Sequence, residues 1–504
     1  MTTHHLDNYY ARLGIAKSAV IDEIQHAYRL AARKYHPDTN QNAGAKELFL
    51  LVQEAYTVLS DPDQRRIYDA TLPADLDAPP ALMVNTLYSR TLVTPGERQQ
   101  VIYVLVDLTA AETERRTESP LNVSLVLDTS TSMAGARLGQ VVKAATRFLE
   151  QLREQDLVSV VTFNDRAELV IPAQRGQDLG RLLSRISTLQ TRGGTEMLHG
   201  LEVGFNEVQR NKNANSINHI ILITDGRTYG DEEACLHLAA QAADLGSPIS
   251  VIGIGEGWNE AFVDQLAAKS GGSSLYADRN AEIHTLLQRK FAGLNQSYAN
   301  NVRIQYEPGA HSILAYAFRL GPDIGVLRVE SPIFLGNVPK ESSLSVLLQF
   351  DIDATQVHGG EMILAEGELH LDLPSRAIPS TSARFELSRP VRSAARPEAP
   401  AQALINAIGK LSLYRMQERA RADLQAGDAS GAAKRLRMLA THLLSAGEKS
   451  LARTVLLAAE DLKHSGILDE KSGKQIKYGT RALIGEFGAG KSPGKTSGRR
   501  RTSQ

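Results

Sequence analysis

Five oxygen-bearing residues are placed where a hard metal ion could be held. They are Asp128, Ser130 and Ser132 in the run Asp128-Thr-Ser130-Thr-Ser132, Thr195 in Gly193-Gly194-Thr195, and Asp225 in Asp225-Gly226. Two carboxylates and three hydroxyls can surround one divalent cation, and the octahedral demand of Mg2+ would be completed by water or an incoming oxygen. Because the hydroxyls are neutral, the ion would stay electrophilic, and an Asp or Glu carboxylate from a partner protein could enter the open position. An Asp-Thr-Ser turn can also be a plain helix cap; the position of both aspartates directly after apolar runs favours the metal. A second constellation lies near the N-terminus. His36-Pro37-Asp38 follows a basic helical pattern containing Arg29, Arg33 and Lys34. Pro37 forces its predecessor out of the helical region, which presents a histidine and a carboxylate at a rigid corner.

The elements that must position these residues are visible as periodicity. Residues 121–127 (LNVSLVL), 157–163 (LVSVVTF), 219–224 (HIILIT) and 249–254 (ISVIGI) read as buried strands, with helical spacing over 138–152, 232–243 and 259–268. That alternation predicts a doubly wound α/β sheet, and ligand sites in such sheets lie beyond the carboxyl ends of strands, where Asp128 and Asp225 fall. Toward the N-terminus, Ile21, Ile24, Ala27, Tyr28, Ala31 and Tyr35 form one helical stripe and Leu48, Val52, Ala55, Tyr56 and Leu59 another. Two such stripes bury each other in an antiparallel hairpin, leaving His26, Arg29, Arg33 and Lys34 mostly outward. Ser60-Asp61-Pro62 carries the capping residue and the proline that begin a further short helix.

The N-terminal residues resemble a J-domain (DnaJ-like): Tyr9-Tyr10-Ala-Arg-Leu13-Gly14, the basic helix, His36-Pro37-Asp38, Glu54-Ala55-Tyr56, Leu59-Ser60-Asp61-Pro62 and Arg66-Ile67-Tyr68-Asp69 occur in that order. The resemblance implies docking on an Hsp70-type chaperone and stimulation of its ATP hydrolysis through His36, Pro37 and Asp38, with Arg29, Arg33 and Lys34 as the electrostatic face. No Gly/Phe-rich linker follows, and a single cysteine rules out repeated Cys-x-x-Cys zinc motifs, so client binding must come from elsewhere in the chain. Asp128, Ser130, Ser132, Thr195 and Asp225 together resemble the metal-ion-dependent adhesion site of von Willebrand factor type A domains. That likeness implies Mg2+, or Mn2+ or Ca2+, and a protein ligand offering a carboxylate.

The expected fold class is a multidomain α and β chain. A J-domain occupies 6–72, and 80–118 supplies the first strands of a flanking β-sandwich. The Rossmann-like A domain spans 119–294, inserted before the remaining sandwich strands of 299–392. A helical domain follows at 401–484, where residues 423–460 look like one tetratricopeptide-type pair within a capping bundle, and 485–504 reads as a disordered basic tail. Gly485 to Ser492 matches the phosphate-loop pattern by letter, but Pro493 and Gly494 follow where a helix is required.

Composition narrows the function. With 504 residues, 42% hydrophobic and 22% charged, several cores can form. The 56 basic and 57 acidic side chains give a net charge of -1, so no global field draws the chain to nucleic acid or a membrane surface. Cys235 stands alone, no cationic start precedes an apolar core, and no stretch approaches the roughly 20 apolar residues of a membrane span. The cytoplasm is the expected compartment. No Gly-x-Ser-x-Gly elbow, His-Glu-x-x-His helix or reactive-cysteine context occurs. The expectation is therefore a non-enzymatic adaptor or co-chaperone. The rival reading is a metal-dependent scaffold for a multiprotein complex, an AAA ATPase among its candidate members, with the J-domain only as a tether.

Overall fold

The computed structural model describes residues 8–36, 45–72, 82–96, 99–111, 118–175, 179–226, 228, 230–255, 257–277, 279, 282–376, 379–392 and 399–485. The first module is four helices: α1 (Tyr9–Leu13), α2 (Ile21–Tyr35), α3 (Ala45–Ser60) and α4 (Pro62–Asp69). Ile24, Ala31 and Tyr35 bury against Val52, Ala55 and Leu59, with Tyr10 and Leu13 closing the core. Ile21 departs from the expected stripe: it opens the first turn and is 42% exposed, and the buried face begins one turn later at Ile24. Asp61 caps α4 by accepting from the backbone N–H groups of Asp63 and Gln64, with Pro62 at the first helical position. Arg65 then ties α4 back, donating from Nε to the Tyr10 hydroxyl at 2.8 Å and from Nη2 to the carbonyls of Lys17 and Ala19.

After β1 (Leu82–Tyr88) and β2 (Gln100–Ala110) the chain enters an α/β domain. Its elements are β3 (Leu121–Asp128), α5 (Ala136–Leu149), β4 (Leu157–Phe163), β5 (Ala167–Arg175), α6 (Leu179–Ser187), α7 (Met197–Arg210), β6 (Ile217–Thr224), α8 (Glu232–Asp244), β7 (Ile249–Ile254), α9 (Glu260–Ser270), β8 (Ser274–Ala277) and α10 (Glu282–Asn295). The strand order is β5-β4-β3-β6-β7-β8, parallel throughout except for the antiparallel edge strand β5. Apolar side chains cover both faces, as an all-buried parallel sheet requires. Strand β5 escaped the periodicity reading because its side chains are mostly half-buried or exposed, without a strict alternation.

The chain then returns as β9 (Ser297–Pro308), β10 (Ser312–Gly321), β11 (Gly325–Leu327), β12 (Ile333–Pro339), β13 (Ser343–Ile352), β14 (Glu361–Asp372) and β15 (Ser380–Pro390). These form two sheets, β1-β2-β13-β10-β11 and β12-β9-β14-β15, around one core. The α/β domain is thus inserted between the second and third strands of a sandwich. Four helices finish the described chain: α11 (Gln402–Gln425), α12 (Ala429–Ser445), α13 (Lys449–Ser465) and α14 (Glu470–Gly485). Leu404, Leu411, Tyr414 and Ile484 lay α11 and α14 on the outer face of the first sandwich sheet, against Leu105, Phe318 and Leu347. No helix among the described residues is long and apolar enough to cross a membrane. The phosphate-loop letters after Gly485 and the basic tail lie outside the described residues.

Candidate metal centre and chaperone-facing helix

Strands β3 and β6 are neighbours in register, Leu127 opposite Ile223, so the residues that follow them emerge side by side. Asp128 is the last residue of β3 and Asp225 the first after β6; both are buried. Asp128 Oδ1 accepts the Ser130 backbone N–H at 2.8 Å, and Oδ2 accepts the Thr224 hydroxyl at 2.6 Å. Ser130 Oγ lies 2.9 Å from Ser132 Oγ, which donates to Asp225 Oδ1 at 2.6 Å. Ser132 is exposed and marks the open side of the cluster.

The third segment is held by the loop after β4. The Asp165 carboxylate accepts the Gly194 N–H at 2.5 Å, and the Gly193 carbonyl accepts from the Thr131 N–H and hydroxyl. Gly193 has φ +70°, a left-handed conformation that favours glycine, and a Cβ there would press on the Asp165 carboxylate. Thr195 is buried behind this loop; a Cβ at Gly226 would sit 3.1 Å from Thr195 Oγ1 and 3.6 Å from Asp128 Oδ2. The bare backbone at Gly226 therefore lies against both the Thr195 hydroxyl and the Asp128 carboxylate. All five predicted residues meet at one end of the sheet.

Burial pushes the Asp128 carboxyl up, and the neighbouring Asp225 adds to this, while the bonds from Ser130 and Thr224 pull it down. The bonds recorded to Asp128 come from neutral donors. Among the described residues no group of three or more His, Cys, Asp or Glu gathers as a metal cluster, so an ion here would depend on hydroxyl donors. The set of two carboxylates and three hydroxyls consists entirely of hard oxygens, which suits Mg2+, Mn2+ or Ca2+. Sequence reasoning missed three supports: Thr224, Asp165 and Arg137. Thr224 could have been found as the residue completing the β6 run. Arg137 donates from Nη1 to the Ser132 carbonyl at 3.0 Å and to Asp225 Oδ2.

At the other end, His36 caps α2 in an extended conformation and its ring meets Phe49 edge-on, centroids 5.6 Å apart. Pro37 and Asp38 lie outside the described residues. Arg29 and Arg33 are exposed as expected. Lys34 is not: it is half-buried, its Nζ 5.2 Å over the Tyr35 ring, and its charge reaches the buried Asp107 of β2. The cause is docking of the helical module on the sandwich, where the Tyr35 hydroxyl lies 3.3 Å from Thr109 Oγ1.

Three family models match parts of this chain. The DnaJ domain model matches residues 8–69, the von Willebrand factor type A domain model 122–289, and the model of the Sll0103-like C-terminal alpha-helical domain 402–486. The uncharacterized protein sll0103 of Synechocystis sp. is 30% identical over 352 residues, covering 68% of this chain and 82% of that protein. Chaperone protein DnaJ 2 of Thermus thermophilus is 53% identical over 62 residues, 12% of this chain and 22% of the chaperone, so that likeness is confined to the J-domain. Among solved structures, the von Willebrand factor type A protein from Catenulispora acidiphila aligns with a TM-score of 0.62 at 16% identity, covering 80% of this chain and 96% of that one. At that identity the two share a fold.

Proposed function

Because this chain belongs to the family of the Synechocystis protein sll0103 and carries a DnaJ domain ahead of its von Willebrand factor type A domain, we propose that it is a co-chaperone adaptor that takes a protein partner through a divalent ion. In this reading the A domain holds the ion with Asp128, Ser130, Ser132, Thr195 and Asp225, and the J-domain brings an Hsp70-type chaperone to the captured partner. The observation that carries it is the pair of buried carboxylates at adjacent strand ends, surrounded by hydroxyls and open at Ser132. Buried carboxylates with so little opposite charge are costly to keep, and a cation offsets that cost. When bound, the ion would act as a Lewis acid toward an incoming carboxylate oxygen, a binding interaction with no bond broken. The chain's own residues set the geometry: Thr224 orients Asp128, and Asp165 holds the loop that carries Thr195.

On the chaperone side, the exposed Arg29 and Arg33 and the corner at His36 support the reading. Two measurements test the two halves separately. Isothermal titration with Mn2+ or Mg2+ should give one site on the wild-type chain and none on Asp128→Ala; equal binding by both would sink the metal half. Stimulation of Hsp70 ATPase should be present for the wild type and absent for His36→Gln. An unchanged rate would remove the chaperone half while leaving the metal half standing.

A further inference from the structure

Of the two carboxylates of the metal centre, one is ion-paired among the described residues. Among the described residues, the ion pair found on Asp225 is with Arg137, and none is found on Asp128. Arg137 lies in the first turn of α5, its side chain 38% exposed against 0% for Asp225. Its guanidinium bonds the outer oxygen of Asp225 and the Ser132 carbonyl, the same two residues that close the open side of the cluster. It also lies over the backbone at Gly255, where a Cβ would be 3.3 Å from Nη2. One positive charge thus pairs from the rim with one of two buried negative charges, with solvent behind it.

A divalent ion held by Ser132 and Asp225 would have to share the Asp225 carboxylate with that guanidinium. Like charges so placed repel strongly where water is scarce. The two cations therefore compete for Asp225, and the one held by a flexible, half-exposed side chain can leave toward water. Resting on the metal reading above, we propose that Arg137 is the built-in counter-cation of this site, which a divalent ion must displace in order to bind. Arg137 then lets the ion-free chain stay folded with two buried carboxylates, and it makes ion binding an exchange of charge rather than a simple addition. Affinity for the ion is weakened by the amount that Arg137 stabilises the ion-free state.

The experiment is isothermal titration of the full chain with Mn2+, paired with thermal melts in chelator and in saturating Mn2+. Wild type is compared with Arg137→Met, which keeps the stem and loses the charge, and Arg137→Lys, which keeps a charge. Arg137→Met should bind Mn2+ on the order of tenfold more tightly than wild type. It should also melt lower than wild type in chelator, with the gap closing once Mn2+ saturates the site. Arg137→Lys should stay nearer to wild type in both measurements. Binding by Arg137→Met that is equal to or weaker than that of a wild type which does bind overturns the inference and leaves the metal site intact. Absence of Mn2+ binding in wild type and in both variants instead removes the metal reading itself.

Discussion

Asp128 and Asp225 stand at the strand ends among hydroxyls, with one half-exposed arginine for company. Glu260 and Asp264, on α9 of the same domain, are treated differently. Lys477 Nζ lies 2.5 Å from Asp264 and 3.5 Å from Glu260, Arg481 Nη1 lies 3.5 Å from Asp264, and Arg421 pairs with Glu260. The cations come from α11 and α14, so this cluster fastens the C-terminal helices to the α/β domain. Lys474 adds a hydrogen bond to the Trp258 carbonyl at 3.0 Å. The residue types at the two sites are alike and their neutralisation is not. Glu260 and Asp264 meet three cations of the same chain, two of them buried, and the charge is used for docking; Asp128 and Asp225 meet hydroxyls and one rim arginine, and their charge is less fully matched.

That contrast can be broken most directly by one substitution made in both places. Asp264→Asn should cost about 3–5 kcal/mol in chemical denaturation, because it takes from the buried Lys477 and Arg481 the carboxylate they share, leaving Glu260 as the remaining acid beside Lys477. Asp128→Asn, measured in chelator, should change stability by less than about 1 kcal/mol while abolishing Mn2+ binding, since it relieves a charge that lacks a full partner. Equal costs at the two positions would erase the distinction.

Acid should find the docking cluster next. Burial pushes the Asp264 carboxyl up, but Lys477 and Arg481 outweigh it and hold it below the ordinary 3.8. Asp323 is likewise held down, burial being outweighed by Lys290 and Arg319. A depressed carboxyl contributes stability that is complete above the unfolded value and is lost as pH falls through the folded one, so denaturation midpoints should drop steeply from about pH 5 downward. Asp264→Asn should flatten that drop. A shallower decline begins earlier, because burial holds His219 neutral, well below its usual 6.5, and the unfolded chain takes up that proton first as pH falls below 6.5. If the midpoints do not move between about pH 8 and 3, the pairing argument fails.

The smallest effect sharpens the metal side. Ser132→Ala removes the hydroxyl that donates to Asp225 Oδ1 from an exposed position. Stability should shift by about 0.5–1 kcal/mol at most, and Mn2+ affinity should fall on the order of tenfold in titration. A stability loss without an affinity loss would make Ser132 a structural residue.

Much of this molecule is legible in its residues one neighbourhood at a time. Continuous apolar runs and stripes of period 3.6 mark β3, β4, β6, β7 and the helical hairpin, and the aspartates that end two of those runs mark the candidate site. Cys235 is buried and forms no disulfide. These signals are local because burial and backbone propensity act over a few residues. Other features depend on which element docks beside which. Arg137 meets Asp225 across 88 residues, Arg481 meets Asp264 across 217, and Lys34 turns inward only because a sandwich strand lies beside α2. Helical spacing can place a lysine on the outer face of its own helix, but whether that face meets water or Asp107 follows from tertiary docking. For the same reason the sequence alone could name the carboxylates, and only the fold decided which cation stands against each of them.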